Sequence, residues 1–175
     1  MAIDETRAFI PVRIALLTVS DTRGPDEDTS GDILAKRIEG AGHILADRTI
    51  MKDDAALITA GLQIWIGRAD VDAVIITGGT GLTGRDVMPE ALDRVKTKDI
   101  PGFGELFRWL SFKTIGTSTV QSRACAVVAQ STYIFALPGS NGAVKDGWDG
   151  ILAEQLDARN RPCNFVQLMP RLMER

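Results

Sequence analysis

Apolar residues fall along this chain in two rhythms. One is uninterrupted: IALLTV from Ile14 to Val19, AVIIT from Ala73 to Thr77, and TYIFAL from Thr132 to Leu137. Runs of this length bounded by turn residues predict strands buried on both faces, as in a parallel sheet. Residues 43–51 read as a further strand. The other rhythm has the 3.6-residue period of a helix with one buried face. It places Ile33, Leu34 and Ile38 inward on a helix that runs to about Gly40, with Ser30 or Thr29 as its cap. Asp32 then sits where the helix dipole favours an acid. Asp53 and Asp54 open a second helix with a stripe of Leu57, Ile58, Gly61, Leu62, Trp65 and Ile66. Pro89 suits the first turn of a short helix. Another helix covers Phe103 to Phe112, and a last one, about Ala143 to Leu156, turns Val144, Trp148, Ile151, Leu152 and Leu156 to one side.

Strands alternating with amphipathic helices predict an α/β fold: a three-layer sandwich with a mostly parallel central sheet flanked by helices. No linker, repeat or low-complexity run divides it. Residues 12–175 are therefore expected to form one domain, and residues 1–11 a polar arm that can pack on a neighbour.

Composition narrows the function without naming it. With 175 residues, 45% hydrophobic and 25% charged, the chain is an ordinary globular domain. A net charge of −3 argues against a nucleic-acid binder. Cys125 and Cys163 fit neither a disulfide framework nor a zinc site, and the single histidine, His43, reads as structural. The N-terminus has acids and no apolar core of a signal peptide, and no apolar run is long enough to span a bilayer. Reduced thiols then point to a cytoplasmic protein with no membrane partner.

Three of the strands end in polar, turn-rich loops: SDTRG, TGGTGLTGRD and PGSNG. In an open parallel sheet such loops gather along the carboxyl edge, where ligands bind. An isolated glycine-rich loop could simply turn a strand into a helix. The middle loop also offers Thr77, Thr80 and Thr83 as hydroxyl donors, Arg85 as a cation and Asp86 as a metal ligand. That set suits a phosphate-bearing ligand with a divalent cation. Gly79 to Gly84 spells G-x-G-x-x-G, but Pro89 puts the next helix start too late for a dinucleotide fingerprint. No Lys-Ser or Lys-Thr follows, so the Walker A pattern fails as well.

Taken in order, LLTVSDTR…DTSGD, ITGGTGLTGRDVMPEA, IPGFGELFR, GTSTVQSRA and LPGS make the chain resemble the MoaB/MogA family of molybdenum cofactor biosynthesis. The likeness runs from about Pro11 to Phe165, and EQLDARNRPCNF resembles the MoaB branch. The resemblance implies a molybdopterin-binding domain that assembles as a trimer or hexamer. It also implies adenylylation of molybdopterin with ATP and Mg²⁺, releasing pyrophosphate. Two family aspartates of that chemistry match Asp86 in GRDVMPEA and Asp53 in IMKDD, with Asp54 as the adjacent alternative. Both are implied Mg²⁺ ligands. Gly78, Gly79, Thr80 and Gly81, with Thr77, would cradle phosphate. Ser122 and Arg123 of QSRA, and Pro138, Gly139 and Ser140 of LPGS, complete the implied binding set.

Other polar residues carry plainer readings. Asp21 and Asp28 read as turn or cap residues, Lys145 and Asp146 as a solvated first turn, and Arg123 could equally pair with a carboxylate. Phe103 and Phe107, sharing a face with Leu106 and Leu110, read as core, whereas Trp109 points elsewhere and can meet a subunit neighbour. Arg85 has no assigned role. Two further readings stand beside the transferase: a molybdopterin carrier without catalysis, and a nicotinamide oxidoreductase using the glycine letters.

Overall fold

Each uninterrupted apolar run forms a central strand in the computed structural model, which describes residues 3–174. Its strands are β1 (Arg13–Val19), β2 (Ile44–Met51), β3 (Ala73–Thr77), β4 (Lys98–Asp99), β5 (Cys125–Ala129) and β6 (Thr132–Leu137). They form one sheet in the order β2-β1-β3-β6-β5-β4. The first four in that order are parallel, and every residue of β3 and β6 is buried. β2 closes one edge, and none of its residues is fully buried.

The other edge departs from simple alternation. The apolar stretch Cys125–Ala129, not assigned from sequence, is also a strand, but it runs antiparallel to β6. Only Gln130 and Ser131 separate β5 from β6, and so short a connection can join only antiparallel neighbours. Two-residue β4 pairs antiparallel with β5 beyond it.

The helices are α1 (Thr29–Gly40), α2 (Ala55–Trp65), α3 (Met88–Asp93), α4 (Pro101–Ile115), α5 (Asn141–Gly147), α6 (Ala153–Gln155) and α7 (Phe165–Leu168). A π-helical turn, Trp148–Leu152, joins α5 to α6, so the predicted final helix is continuous but locally widened. Val144, Trp148, Ile151, Leu152 and Leu156 are all buried along it. Alternate strand residues face opposite layers. Ile14, Leu16, Ile75 and Phe135 pack with Leu34, Phe107 and Trp148, whereas Ala15, Leu17, Ile76 and Ile134 pack with Ile58, Leu62 and Met88. Burying each of the larger side chains stabilises the fold by about 1.5–3 kcal/mol, so the two cores hold the sandwich together.

Several local expectations are revised. The cap of α1 is Asp28, not Ser30 or Thr29, because the helix begins one residue earlier. Its carboxylate accepts from the Gly31 amide at 2.9 Å. Asp28 is fully buried, and the Thr18 hydroxyl and Arg48 satisfy its second oxygen. Leu57 is 55% exposed and Ile66 lies beyond the end of α2, so the inward stripe is Ile58, Gly61, Leu62 and Trp65. Leu106 is likewise exposed, whereas Phe103 and Phe107 are core. His43 is structural: it is buried, and Nδ1 accepts from the Val12 amide at 3.2 Å.

Described residues of the N-terminal arm lie against the chain's own C-terminal segment. Asp4 donates its amide to Arg159 O and pairs with Arg161, and Arg7 donates to Ala158 O. Among the described residues no helix is long and apolar enough to cross a membrane.

Candidate functional site

β1 passes the chain outward to β2, whereas β3 passes it towards the opposite edge. Their carboxyl ends therefore flank a crevice of the kind in which α/β proteins hold ligands. Three loops meet there. Gly78 donates its amide to Leu137 O at 2.9 Å, joining the end of β3 to that of β6. Gly78 also takes φ +109, and a Cβ at this position would collide with Val19 O at the end of β1. Only glycine permits both that backbone and that approach. A Cβ on Gly139 would lie 3.3 Å from the Gly78 Cα, which brings the PGS loop onto the same point.

The loops open onto a cavity of about 720 Å³. Its lining includes Gly78, Gly79, Thr80, Gly81, Ser122, Pro138, Gly139, Ser140, Asp53 and Asp86, so most of the residues expected from sequence come together. Ser140 also caps α5, its hydroxyl accepting from the Ala143 amide at 3.2 Å. The far wall comes from α4 and its sequel: Phe107, Ser111, Thr114, Ile115 and Thr119. Sequence reasoning placed Phe107 in the core and gave the others no role, because positions on a helix carry no mark of whether they face solvent or a cavity.

The two aspartates meet at the glycine loop in contrasting surroundings, Asp86 within it and Asp53 in the turn between β2 and α2. Asp53 Oδ1 would lie 2.9 Å from a Cβ at Gly79, and Asp86 Oδ2 2.7 Å from one at Gly81. Asp86 Oδ2 accepts from the Thr83 amide at 2.8 Å and from its hydroxyl at 2.6 Å. The Thr83 hydroxyl accordingly holds the Asp86 carboxyl below the usual carboxylate range. Asp53 is the reverse. Burial first, then the charges of Asp21 and Asp86, raise its pKa, while Arg85 opposes them. Asp53 Oδ1 is buried and accepts no hydrogen bond. Asp54, the alternative match, is spent on structure: its carboxylate caps α2, accepting from the Ala56 and Leu57 amides.

Two expected site residues lie elsewhere. Thr77 is buried at the end of β3, where its hydroxyl donates to Pro138 O at 3.2 Å. It braces two loops together and does not line the cavity. Arg123 stands behind the glycine loop, outside the cavity lining, with its side chain engaged by the protein. Its Nε donates to Gly81 O at 2.7 Å, one Nη donates to Asp86 O at 2.6 Å, and the other pairs with Glu90. Its amide also donates to Thr80 O at 2.9 Å. Asp21 and Asp146, read from sequence as turn and surface residues, both line the cavity. Asp21 Oδ1 accepts from the Asp53 amide at 3.2 Å, and Arg23 reaches across to Gly139 O at 3.0 Å.

Such a cavity offers backbone amides and hydroxyls for phosphate, an apolar wall at Phe107 and Ile115 for a flat ring, and two carboxylates where the loops meet. The late start of α3, at Met88, removes the dinucleotide fingerprint. Among the described residues no three metal-ligating side chains cluster together. Two carboxylates are nevertheless enough for Mg²⁺, which retains waters and phosphate oxygens. The orphaned Asp53 Oδ1 fits that role, because a buried acceptor without a donor is costly unless something positive meets it.

Comparison with known proteins gives a concordant picture. A family model described as a probable molybdopterin binding domain matches residues 15–158. Molybdenum cofactor biosynthesis protein B of Escherichia coli K12 is 54% identical over 157 residues, spanning 90% of this chain and 92% of that one. A crystal structure of a molybdenum cofactor biosynthesis protein B superposes with a TM-score of 0.86 at 34% identity, covering 97% of this chain and all of the other. The tungsten cofactor synthesizing protein MoaB of Pyrococcus furiosus superposes with a TM-score of 0.77 at 30% identity, covering 94% and 98%.

Proposed function

The chain belongs to the molybdopterin-binding-domain family of molybdenum cofactor biosynthesis proteins, and on that footing we propose that it adenylylates molybdopterin with ATP. The observation that carries the reading is the pair of unlike carboxylates that meet at the glycine loop, Asp86 within it and held by Thr83, and Asp53 approaching from the turn after β2 and left without a donor. In this reading an oxygen of the pterin phosphate attacks the α-phosphorus of ATP, and pyrophosphate leaves. The amides of Gly79, Thr80 and Gly81 and the Ser140 hydroxyl hold the pterin phosphate in line. The wall of Phe107 and Ile115 receives the ring. Transfer between phosphates needs no covalent protein intermediate, so positioning and charge neutralisation supply the catalysis. Asp53 and Asp86 would hold Mg²⁺, which neutralises phosphate charge when bound.

Asp86→Asn tests this reading with molybdopterin, labelled ATP and Mg²⁺. Removing one carboxylate charge should lower the transfer rate by about a hundredfold or more and leave pterin affinity within severalfold. Equal loss of both would make Asp86 a binding or folding residue. Pterin binding by the unaltered protein without adenylylated product would establish a carrier, and nicotinamide binding an oxidoreductase. The same reading includes a homo-oligomer, trimer or hexamer, supported by the exposed apolar face of α4. It also includes a cytoplasmic location, with which the free thiols Cys125 and Cys163 agree.

A further inference from the structure

We propose that Arg85 takes the β- and γ-phosphates of the nucleotide and meets the charge they acquire on leaving as pyrophosphate; this rests on the adenylyl-transfer reading. Charge is the starting point. Four carboxylates line the cavity, Asp21, Asp53, Asp86 and Asp146, against two guanidinium groups, Arg23 and Arg85. A polyphosphate entering such a cavity is repelled unless a cation can turn towards it.

Arg23 is tethered through one of its nitrogens. Its Nη1 donates to Gly139 O at 3.0 Å and to Ser30 Oγ at 3.3 Å, tying the first loop to the last. Arg123, behind the glycine loop, is turned away and fully engaged with Gly81, Asp86 and Glu90. Arg85 differs from both. It makes a single ionic contact among the described residues, to Asp21 Oδ2 at 3.6 Å, and its side chain is 76% exposed. That separation is too long for a hydrogen bond, and so exposed a pair contributes little. Its planar donor fork is therefore free to grip phosphate, the geometry for which arginine is suited.

Its place in the chain fits the task. Arg85 follows the last glycine of the loop and directly precedes Asp86, so it stands at the solvent side of the phosphate cradle. In the transfer a pterin phosphate oxygen bonds to the α-phosphorus and the α-phosphorus–bridging oxygen bond breaks. The electron pair stays on the pyrophosphate, which carries the added negative charge. A cation that meets this charge helps the transition state more than the bound triphosphate.

Calorimetric titration of the whole protein with Mg²⁺ and inorganic pyrophosphate, and separately with AMP, tests the assignment. Arg85→Gln should weaken pyrophosphate binding by about ten- to a hundredfold, the loss expected for a charge-assisted contact. Arg85→Lys should weaken it less. AMP affinity and melting temperature should hold in both, since the exposed pair with Asp21 contributes little to the fold. In the complete reaction kcat/KM for ATP should fall while KM for the pterin stays. Unchanged pyrophosphate affinity in Arg85→Gln overturns the proposal, as does equal weakening of AMP and pyrophosphate, or no pyrophosphate binding by the unaltered protein. If pyrophosphate binds through Arg85 but no adenylylated pterin forms, Arg85 stands as the polyphosphate ligand and the transfer reading fails.

Discussion

Replacing Arg123 with methionine deletes two attachments to the glycine loop and one to α3. The bonds to Gly81 O and Asp86 O, at 2.7 and 2.6 Å, pin both ends of the segment that presents Asp86. The Arg123 side chain is only 29% exposed, so these bonds are sheltered. A bond from a charged donor contributes about 1.5–3 kcal/mol in that setting. The two share one side chain and do not add fully, and water can replace part of each. The Glu90 partner is 52% exposed, which confines that ion pair to about 0–1 kcal/mol. A net loss of about 2–4 kcal/mol follows for Arg123→Met. At about 2–4 °C per kcal/mol for a domain of this size, the melting temperature should fall by roughly 4–16 °C. Arg123→Lys can keep one carbonyl and should fall between. Differential scanning calorimetry of the three proteins, beside pterin binding below the transition, provides the measurement. If Arg123→Met melts within about a degree of the unaltered protein but binds pterin far more weakly, Arg123 is a ligand contact after all and the clamp is wrong.

Two other expectations concern a buried ring and an exposed one. Burial holds the His43 imidazole below the ordinary histidine value of 6.5, with Asp157 offsetting part of that push. The unfolded chain takes up the proton first as pH falls. The stability contributed by the neutral ring is therefore fully present above about pH 6.5 and is lost below it, as Nδ1 surrenders its bond from Val12. Melting temperature should drop more steeply between about pH 7.5 and 5.5 than in His43→Asn, and equal slopes would remove His43 as the cause. On α4 and the segment after it, Trp109 is 60% exposed and Phe112, Ile115 and Val120 more than half exposed, an apolar face suited to a second copy. Sedimentation at micromolar concentration should show a trimer or hexamer, converted to monomer by Trp109→Glu. A monodisperse monomer of the unaltered protein would exclude that assembly.

Much of the fold was legible because its signals are local. Apolar runs of five or six residues marked β1, β3 and β6, and Pro89 foretold a helix starting beyond the glycine letters. The site was legible where backbone chemistry makes it: Gly78 has to be glycine wherever Val19 O presses against it. Legibility failed where one residue type serves two purposes. Asp28 and Asp21 are aspartates of the same loop, yet one is a buried cap and the other lines the cavity. Ser111 and Thr114 carry no signal in the sequence and line the cavity only once α4 is packed against the sheet. β5 was not assigned as a strand at all, although the two residues between it and β6 mark the pair as antiparallel once both are recognised.

By itself, then, the sequence determined the layered α/β sandwich, the three loops at one sheet edge and the phosphate-suited glycine turn, since all of these follow from short-range pattern and backbone freedom. Tertiary structure decided which charges are free. Three arginines, Arg23, Arg85 and Arg123, lie in or beside the loops, and nothing in their local sequence ranks them. Packing commits Arg23 to the last loop and Arg123 to the back of the glycine turn, leaving Arg85 open to solvent. It also spends Asp54 on a helix cap and leaves Asp53 Oδ1 buried without a donor. A side chain's chemistry is encoded in its residue type, but its availability depends on neighbours that are distant along the chain.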